Sequence, residues 1–154
     1  MNNVRPRNGV TNEWYTPPEI VTSLGKFDLD PCANRLWALA TNCWHVKGFY
    51  KEWSGRVWLN PPYGEEIVDW MEKMADHGNG IALVFARTET AWFHDSIWNR
   101  ATAVFFFRRR LKFYNKYGVQ SETAAPAPSV LVAYNTVNAE ALANSGLNGR
   151  LVTL

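Results

Sequence analysis

The sequence has little cysteine, scattered histidine and almost no net charge. Its two cysteines, Cys32 and Cys43, form no CxxC pair, and His45, His77 and His94 stand far apart along the chain. That spacing excludes a structural zinc site and points to a reducing, cytoplasmic compartment. No apolar stretch reaches the ~18 residues that a membrane-spanning helix needs. The opening MNNVRPRNGVTNEW lacks the apolar centre of a secretion signal, so neither secretion nor membrane insertion is expected. A formal net charge of +2 does not by itself mark a nucleic-acid binder, so only local clusters of charge carry information.

Apolar and aromatic residues are plentiful. Hydrophobic residues make up 47% of the 154 positions, enough for a real core in one domain of ordinary size. Aromatics reach 14%, with 8 tryptophans, an excess that fills a core or builds stacking surfaces. Residues 1–12, with Arg5 and Arg7, read as a flexible basic arm, and 13–154 as the single domain. Thr16 is placed to cap a short helix over about 17–24, with Pro17 and Pro18 in its first turn and Glu19 at the capping-box position. FDLDP reads as a strand and ANRLWALATNCW as a helix.

GRVWLNPPYG reads as a buried strand stopped by a loop that cannot continue a sheet ladder, and EEIVDWMEKMADHG as an amphipathic helix. GIALVFARTET, AVFFFRRRLKFY and PSVLVAY read as further strands, AWFHDSIWNRA as a helix, and the tail as a short helix with an edge strand. Alternating strands and helices predict an α/β fold with a mostly parallel sheet and a late antiparallel hairpin. In such sheets ligands bind outside the carboxyl ends of the strands, where Asp30-Pro31, Asn60 to Tyr63 and Ala86-Arg87-Thr88 all fall.

Asn60-Pro61-Pro62-Tyr63 is the most informative motif. Two successive prolines hold the backbone extended, so the Asn60 side-chain oxygen and a proline carbonyl can point the same way with no N–H competing for them. Two aligned acceptors match the two N–H donors of a planar amine such as the N6 group of adenine, and the Tyr63 ring can stack on the base. The same acceptors draw the amino nitrogen toward a tetrahedral lone pair, the change needed for attack on an electrophilic methyl group. The alternative is a simple turn leaving a strand, since Asn and Pro are common turn residues. Asp30 could accept from an ammonium or a ribose, or merely cap the next helix.

Arg108, Arg109, Arg110, Lys112, Tyr114 and Lys116 interleave charge with aromatic rings ahead of a long loop. Such a segment can neutralise phosphates and stack bases, or be no more than a solvated strand end. Trp70, Trp92 and Trp98 are expected in the core.

In order along the chain, Trp14-Tyr15-Thr16-Pro17-Pro18-Glu19, Asp28-Leu29-Asp30-Pro31, Asn60 to Tyr63, Ala86-Arg87-Thr88, Arg110-Leu111-Lys112-Phe113 and Ala127-Pro128-Ser129 resemble the small phage-type DNA N6-adenine methyltransferases of the Dam family. The resemblance covers about residues 12–134. It implies a Rossmann-like domain that uses S-adenosylmethionine to methylate adenine N6 in double-stranded DNA. By that likeness Tyr15, Thr16, Pro17, Asp30, Pro31 and Asn60 lie on the cofactor side, and Asn60, Pro61, Pro62 and Tyr63 form the catalytic motif. Protection of phage DNA from restriction is a role implied by the likeness alone. The chain departs from the glycine-rich loop that follows the first strand in many such enzymes, carrying Cys32-Ala33-Asn34-Arg35 instead, and it has Ala127 where an aromatic is more usual. The motif alone leaves open an RNA base or a protein glutamine as substrate, and the missing glycines leave open a catalytically silent nucleic-acid binder. With little chain beyond the core, recognition shared across a homodimer is a further expectation.

Overall fold

The computed structural model describes residues 14–154, so the basic arm with Arg5 and Arg7 lies outside the described residues. The elements follow in the order α1 (Pro18–Thr22), β1 (Leu29–Asp30), β2 (Asn42–Cys43), a 3-10 turn at Gly48–Tyr50, β3 (Val57–Leu59), α2 (Ile67–His77) and β4 (Gly80–Phe85). They continue with α3 (Ala91–Phe93), which runs on as a π-helical turn over His94–Trp98, then β5 (Ala103–Phe107), β6 (Ser129–Tyr134), α4 (Thr136–Ala143) and β7 (Gly149–Thr153). All seven strands join one sheet in the order β2-β1-β3-β4-β6-β5-β7.

The pairings β1 with β2, β1 with β3 and β3 with β4 are parallel, and those of β6 with β4, β6 with β5 and β5 with β7 are antiparallel. Strands β1 to β5 therefore point one way, while β6, inserted between β4 and β5, and the edge strand β7 point the other. Half of the pairings are antiparallel, so the sheet is mixed rather than mostly parallel. The cause is the long connection over 108–128, which lets the chain return between two strands instead of at the edge.

The continuous apolar runs VWL, GIALVF and SVLVAY are buried throughout, as strands covered on both faces must be. Their alternation splits the core into two layers. Trp58, Ile81, Leu83, Phe85, Phe105 and Leu131 face α1 and α4. Val57, Leu59, Ala82, Val84, Val104 and Val132 face α2, through Ile67, Trp70, Met71 and Met74, and the π-helical turn, through Phe93 and Ile97. Trp70 is buried in that layer, and Trp92 and Trp98 pack half-buried against it. Helix α2 stops at Gly78, whose left-handed φ of 69° lets its N–H reach the Met74 carbonyl at 3.0 Å.

Several local expectations fail. The strands expected over 80–90 and 103–114 end at Phe85 and Phe107, and the helix expected over 33–44 is replaced by bends over 33–41 and the strand β2. The Asn34 side-chain oxygen accepts from the N–H groups of Leu36 and Trp37 at 2.9 and 3.1 Å, a turn that no helix continues. Backbone bonds from Ala33 to Trp44 and from Trp44 to Asp30 then lay the end of the segment against β1, where it becomes the strand β2. Helix α1 also starts without a side-chain cap, because Pro17 occupies the cap position and Thr16 is engaged elsewhere.

Candidate functional site

Strands β2 and β3 flank β1, so the chain leaves β1 to one side and returns to the other. A sheet reversing direction in this way opens a crevice at the carboxyl ends of its strands. Asp30 ends β1, and Asn60 immediately follows Leu59 of β3. Between them lies a cavity of about 220 Å3 whose lining includes Tyr15, Thr16, Asp30, Pro31, Asn60 and Trp58. The structure thus gathers five of the six residues expected on the cofactor side. Pro17, the sixth, is buried at the start of α1 and does not line the cavity.

Thr16 is 1% exposed, and its hydroxyl oxygen accepts from Asn60 Nδ2 at 3.0 Å. That bond orients the Asn60 amide, leaving its oxygen on the edge turned away from Thr16. Asp30 is 2% exposed, and its carboxyl oxygen accepts from the Cys32 N–H at 3.2 Å. Burial raises its carboxyl from the ordinary 3.8 to about 7, against the smaller lowering effect of that backbone donor. A buried acid of this kind facing a cavity is held ready for a cationic partner. Burial also pushes the neighbouring Cys32 thiol up to about 11, so it stays protonated at neutral pH and is no nucleophile.

The turn at Gly48 forms part of the wall, and an added Cβ there would sit 1.7 Å from the Pro31 carbonyl oxygen. Only glycine permits that approach. Gly48 therefore packs backbone against backbone within the wall. Lys73 fixes the same turn, donating to the carbonyls of Phe49 and Lys51 at 2.5 and 2.7 Å.

A second, much smaller cavity, of about 10 Å3, adjoins the first and shares Trp14 and Asn60 with it. Tyr63, Phe85, Phe113 and Ser129 complete its wall. The Tyr63 ring packs on Phe85 at 4.7 Å between centroids, and its hydroxyl accepts from the Phe85 N–H. Burial raises the Tyr63 hydroxyl well above the ordinary tyrosine range, so it remains neutral. Pro61 is buried and Pro62 half-buried between Asn60 and Tyr63.

Arg108, Arg109, Arg110, Lys112 and Lys116 are exposed along the connection after β5. Tyr114 differs from them: it is half-buried, exchanges backbone hydrogen bonds with Tyr15 at 2.7 and 2.9 Å, and meets the Trp37 ring edge-on at 5.4 Å. These contacts tie the basic connection to the segment that carries Thr16. Among the described residues no three His, Cys, Asp or Glu side chains gather as a metal site, and no helix is long and apolar enough to cross a membrane.

Sequence reasoning did not anticipate Trp58, Gly48, Phe113 or Ser129 at the site. Trp58 and Phe113 look like ordinary core residues, and nothing local shows that Gly48 will fold against Pro31.

No match is found among curated proteins or among solved structures. The family model described as DNA N-6-adenine-methyltransferase (Dam) matches residues 5–150, a span that contains both cavities and the basic connection. The chain belongs to the DNA N-6-adenine-methyltransferase (Dam) family.

Proposed function

We propose that this chain transfers a methyl group from S-adenosylmethionine to N6 of an adenine flipped out of double-stranded DNA. The observation that carries the reading is the position of Asn60, oriented by Thr16 and lining both the larger cavity and the smaller one. A residue shared by two adjoining pockets can hold an acceptor group in one against a donor group in the other. The residues of the larger cavity fit the cofactor by their chemistry. Asp30 is a buried carboxylate suited to its ammonium, and Trp58 contributes a buried indole N–H with no partner among the described residues. When bound, S-adenosylmethionine supplies an electrophilic methyl group on a sulfonium.

In the smaller pocket the Asn60 side-chain oxygen and the Pro61 carbonyl accept the two amino hydrogens. They draw the nitrogen lone pair out of conjugation, favouring the geometry of attack. Tyr63, Trp14 and Phe113 give aromatic surface for stacking the extruded base, and the exposed Arg108, Arg109, Arg110, Lys112 and Lys116 meet the phosphates. Holding both reactants in line accounts for a large part of such a rate enhancement, and no covalent enzyme intermediate is needed.

The test incubates the protein with labelled S-adenosylmethionine and unmethylated DNA, digests the DNA and identifies the labelled nucleoside. N6-methyladenine that disappears in Asn60→Ala is the expected result. A folded protein that binds cofactor but leaves DNA unlabelled would redirect the reading to an RNA base or a protein glutamine. One that binds no cofactor would leave a silent nucleic-acid binder.

A further inference from the structure

Ser129 opens β6, directly opposite Phe85 of β4 in the antiparallel register. It is 2% exposed, and its hydroxyl has no hydrogen-bond partner among the described residues. Buried hydroxyls are nearly always paired, so an orphan calls for an explanation. This one stands in the wall of the smaller cavity, beside Asn60 and Tyr63. At about 10 Å3 that cavity is far too small for a purine, so a base enters only when its wall rearranges. Asn60 and Ser129 both belong to that wall.

The chemistry of adenine supplies what the hydroxyl lacks. Its amino group lies between two ring acceptors, N1 on one side and N7 on the other, and a serine hydroxyl can donate to either. Cytosine has an acceptor on only one side of its amino group and a C–H on the other. We propose that the Ser129 hydroxyl donates to a ring nitrogen beside the reactive amino group, positioning the adenine so that its N6 meets Asn60. The assignment rests on the adenine-methylation reading above and makes Ser129 a positioning residue for the base, one that also discriminates against cytosine if the nitrogen it meets is N7.

The experiment compares wild type and Ser129→Ala on three versions of one mixed-sequence duplex, copied by polymerase with adenine, 1-deazaadenine or 7-deazaadenine. Wild type should methylate one of the two analogue duplexes about 3- to 10-fold more slowly than the adenine duplex, the fold-change of one neutral hydrogen bond. Ser129→Ala should show that same loss on ordinary adenine and no further loss on that analogue, with unchanged cofactor affinity and thermal midpoint. A merely structural serine would not cancel the effect of a single ring atom. Equal analogue losses in both proteins would overturn the assignment and leave the adenine reading intact, whereas wild type that forms no N6-methyladenine on the adenine duplex would overturn both. If Ser129→Ala does not fold, Ser129→Cys keeps the shape with a weaker donor, and the same cancellation is expected in reduced form.

Discussion

Strands β1, β2 and β3 are two or three residues long, whereas β4 to β7 run five or six. The short strands form the parallel half of the sheet, and the long ones, joined at β4, form its antiparallel half. The buried polar residues do not follow that line: Thr16 and Asp30 sit at the short-stranded end, while Ser129 opens β6 and Ser96 and Asn138 lie on the π-helical turn and on α4. A parallel strand that stops after two residues leaves its end and its neighbour's end open to a ligand, and a six-residue ladder closes that space with side chains. Cofactor binding and global stability should therefore be separable by half, and the substitutions below test that separation in order of expected effect.

Asn60→Ala should have the largest effect. Losing one acceptor aimed at the reacting amino group should slow methyl transfer at saturating cofactor by about 100- to 1,000-fold, with melting temperature near wild type. Near-normal turnover would show that the junction of the two cavities is only a turn. The complementary change lies in the long-stranded half: Leu131, in the middle of β6, is fully buried. Leu131→Ala should cost about 2–5 kcal/mol in denaturant unfolding while leaving the cofactor affinity of the folded fraction intact. A loss of cofactor binding disproportionate to unfolding would erase the division between the halves.

Asp30 sharpens the comparison through pH. Its carboxyl is raised by burial to about 7 in the folded chain, so between about pH 4 and 7 the native state holds a proton that the unfolded chain has released. Stability without cofactor therefore falls as pH rises through that window. Affinity for the cationic cofactor should move the other way, rising toward pH 7 as Asp30 ionises, with a proton released on binding. Asp30→Asn should bind about tenfold more weakly at pH 7.5, by the loss of one charge-assisted contact, and should lose the rise below pH 7. Isothermal titration in buffers of different ionisation enthalpy reads both quantities. A pH-independent affinity in wild type would place the cofactor's charge elsewhere in the cavity.

How much of this was legible in the sequence depended on how local the cause was. The uninterrupted apolar runs of β3, β4 and β6 and the stripe of α2 follow from periodicity, and a motif such as Asn60 to Tyr63 carries its backbone geometry with it. The helix expected at 33–44 failed because the N–H groups of Thr41, Asn42 and Trp44 pair with the carbonyls of Phe27, Asp28 and Asp30 along β1, which hydrophobic spacing does not register. The predicted capping role of Thr16 failed because its partner, Asn60, is 44 residues away. Gly48 against Pro31, and Tyr114 against Tyr15, are likewise long-range pairings that no short window contains. The basic cluster was legible as composition, yet the structure separates Tyr114, which is packed, from its exposed cationic neighbours.

That separation sets up the smallest effect. Arg108, Arg109 and Arg110 are exposed, so replacing them should disturb neither half of the sheet. Any consequence must come through the field they present to DNA. If they neutralise phosphates, each contact removed should shallow the slope of log affinity against log salt by about 0.9. The triple substitution to alanine should then weaken DNA binding most at low salt, with little change at high salt, while S-adenosylmethionine affinity and melting temperature hold. Fluorescence anisotropy of a labelled duplex across a salt series measures the slope directly. Tyr114→Ala is the contrasting control: it should lower the melting temperature by loosening the Tyr15 and Trp37 packing and leave the salt slope unchanged. A slope unaffected by the triple substitution would mean that these guanidiniums serve only to solvate a strand end, and that the DNA-contacting charge lies elsewhere on the chain.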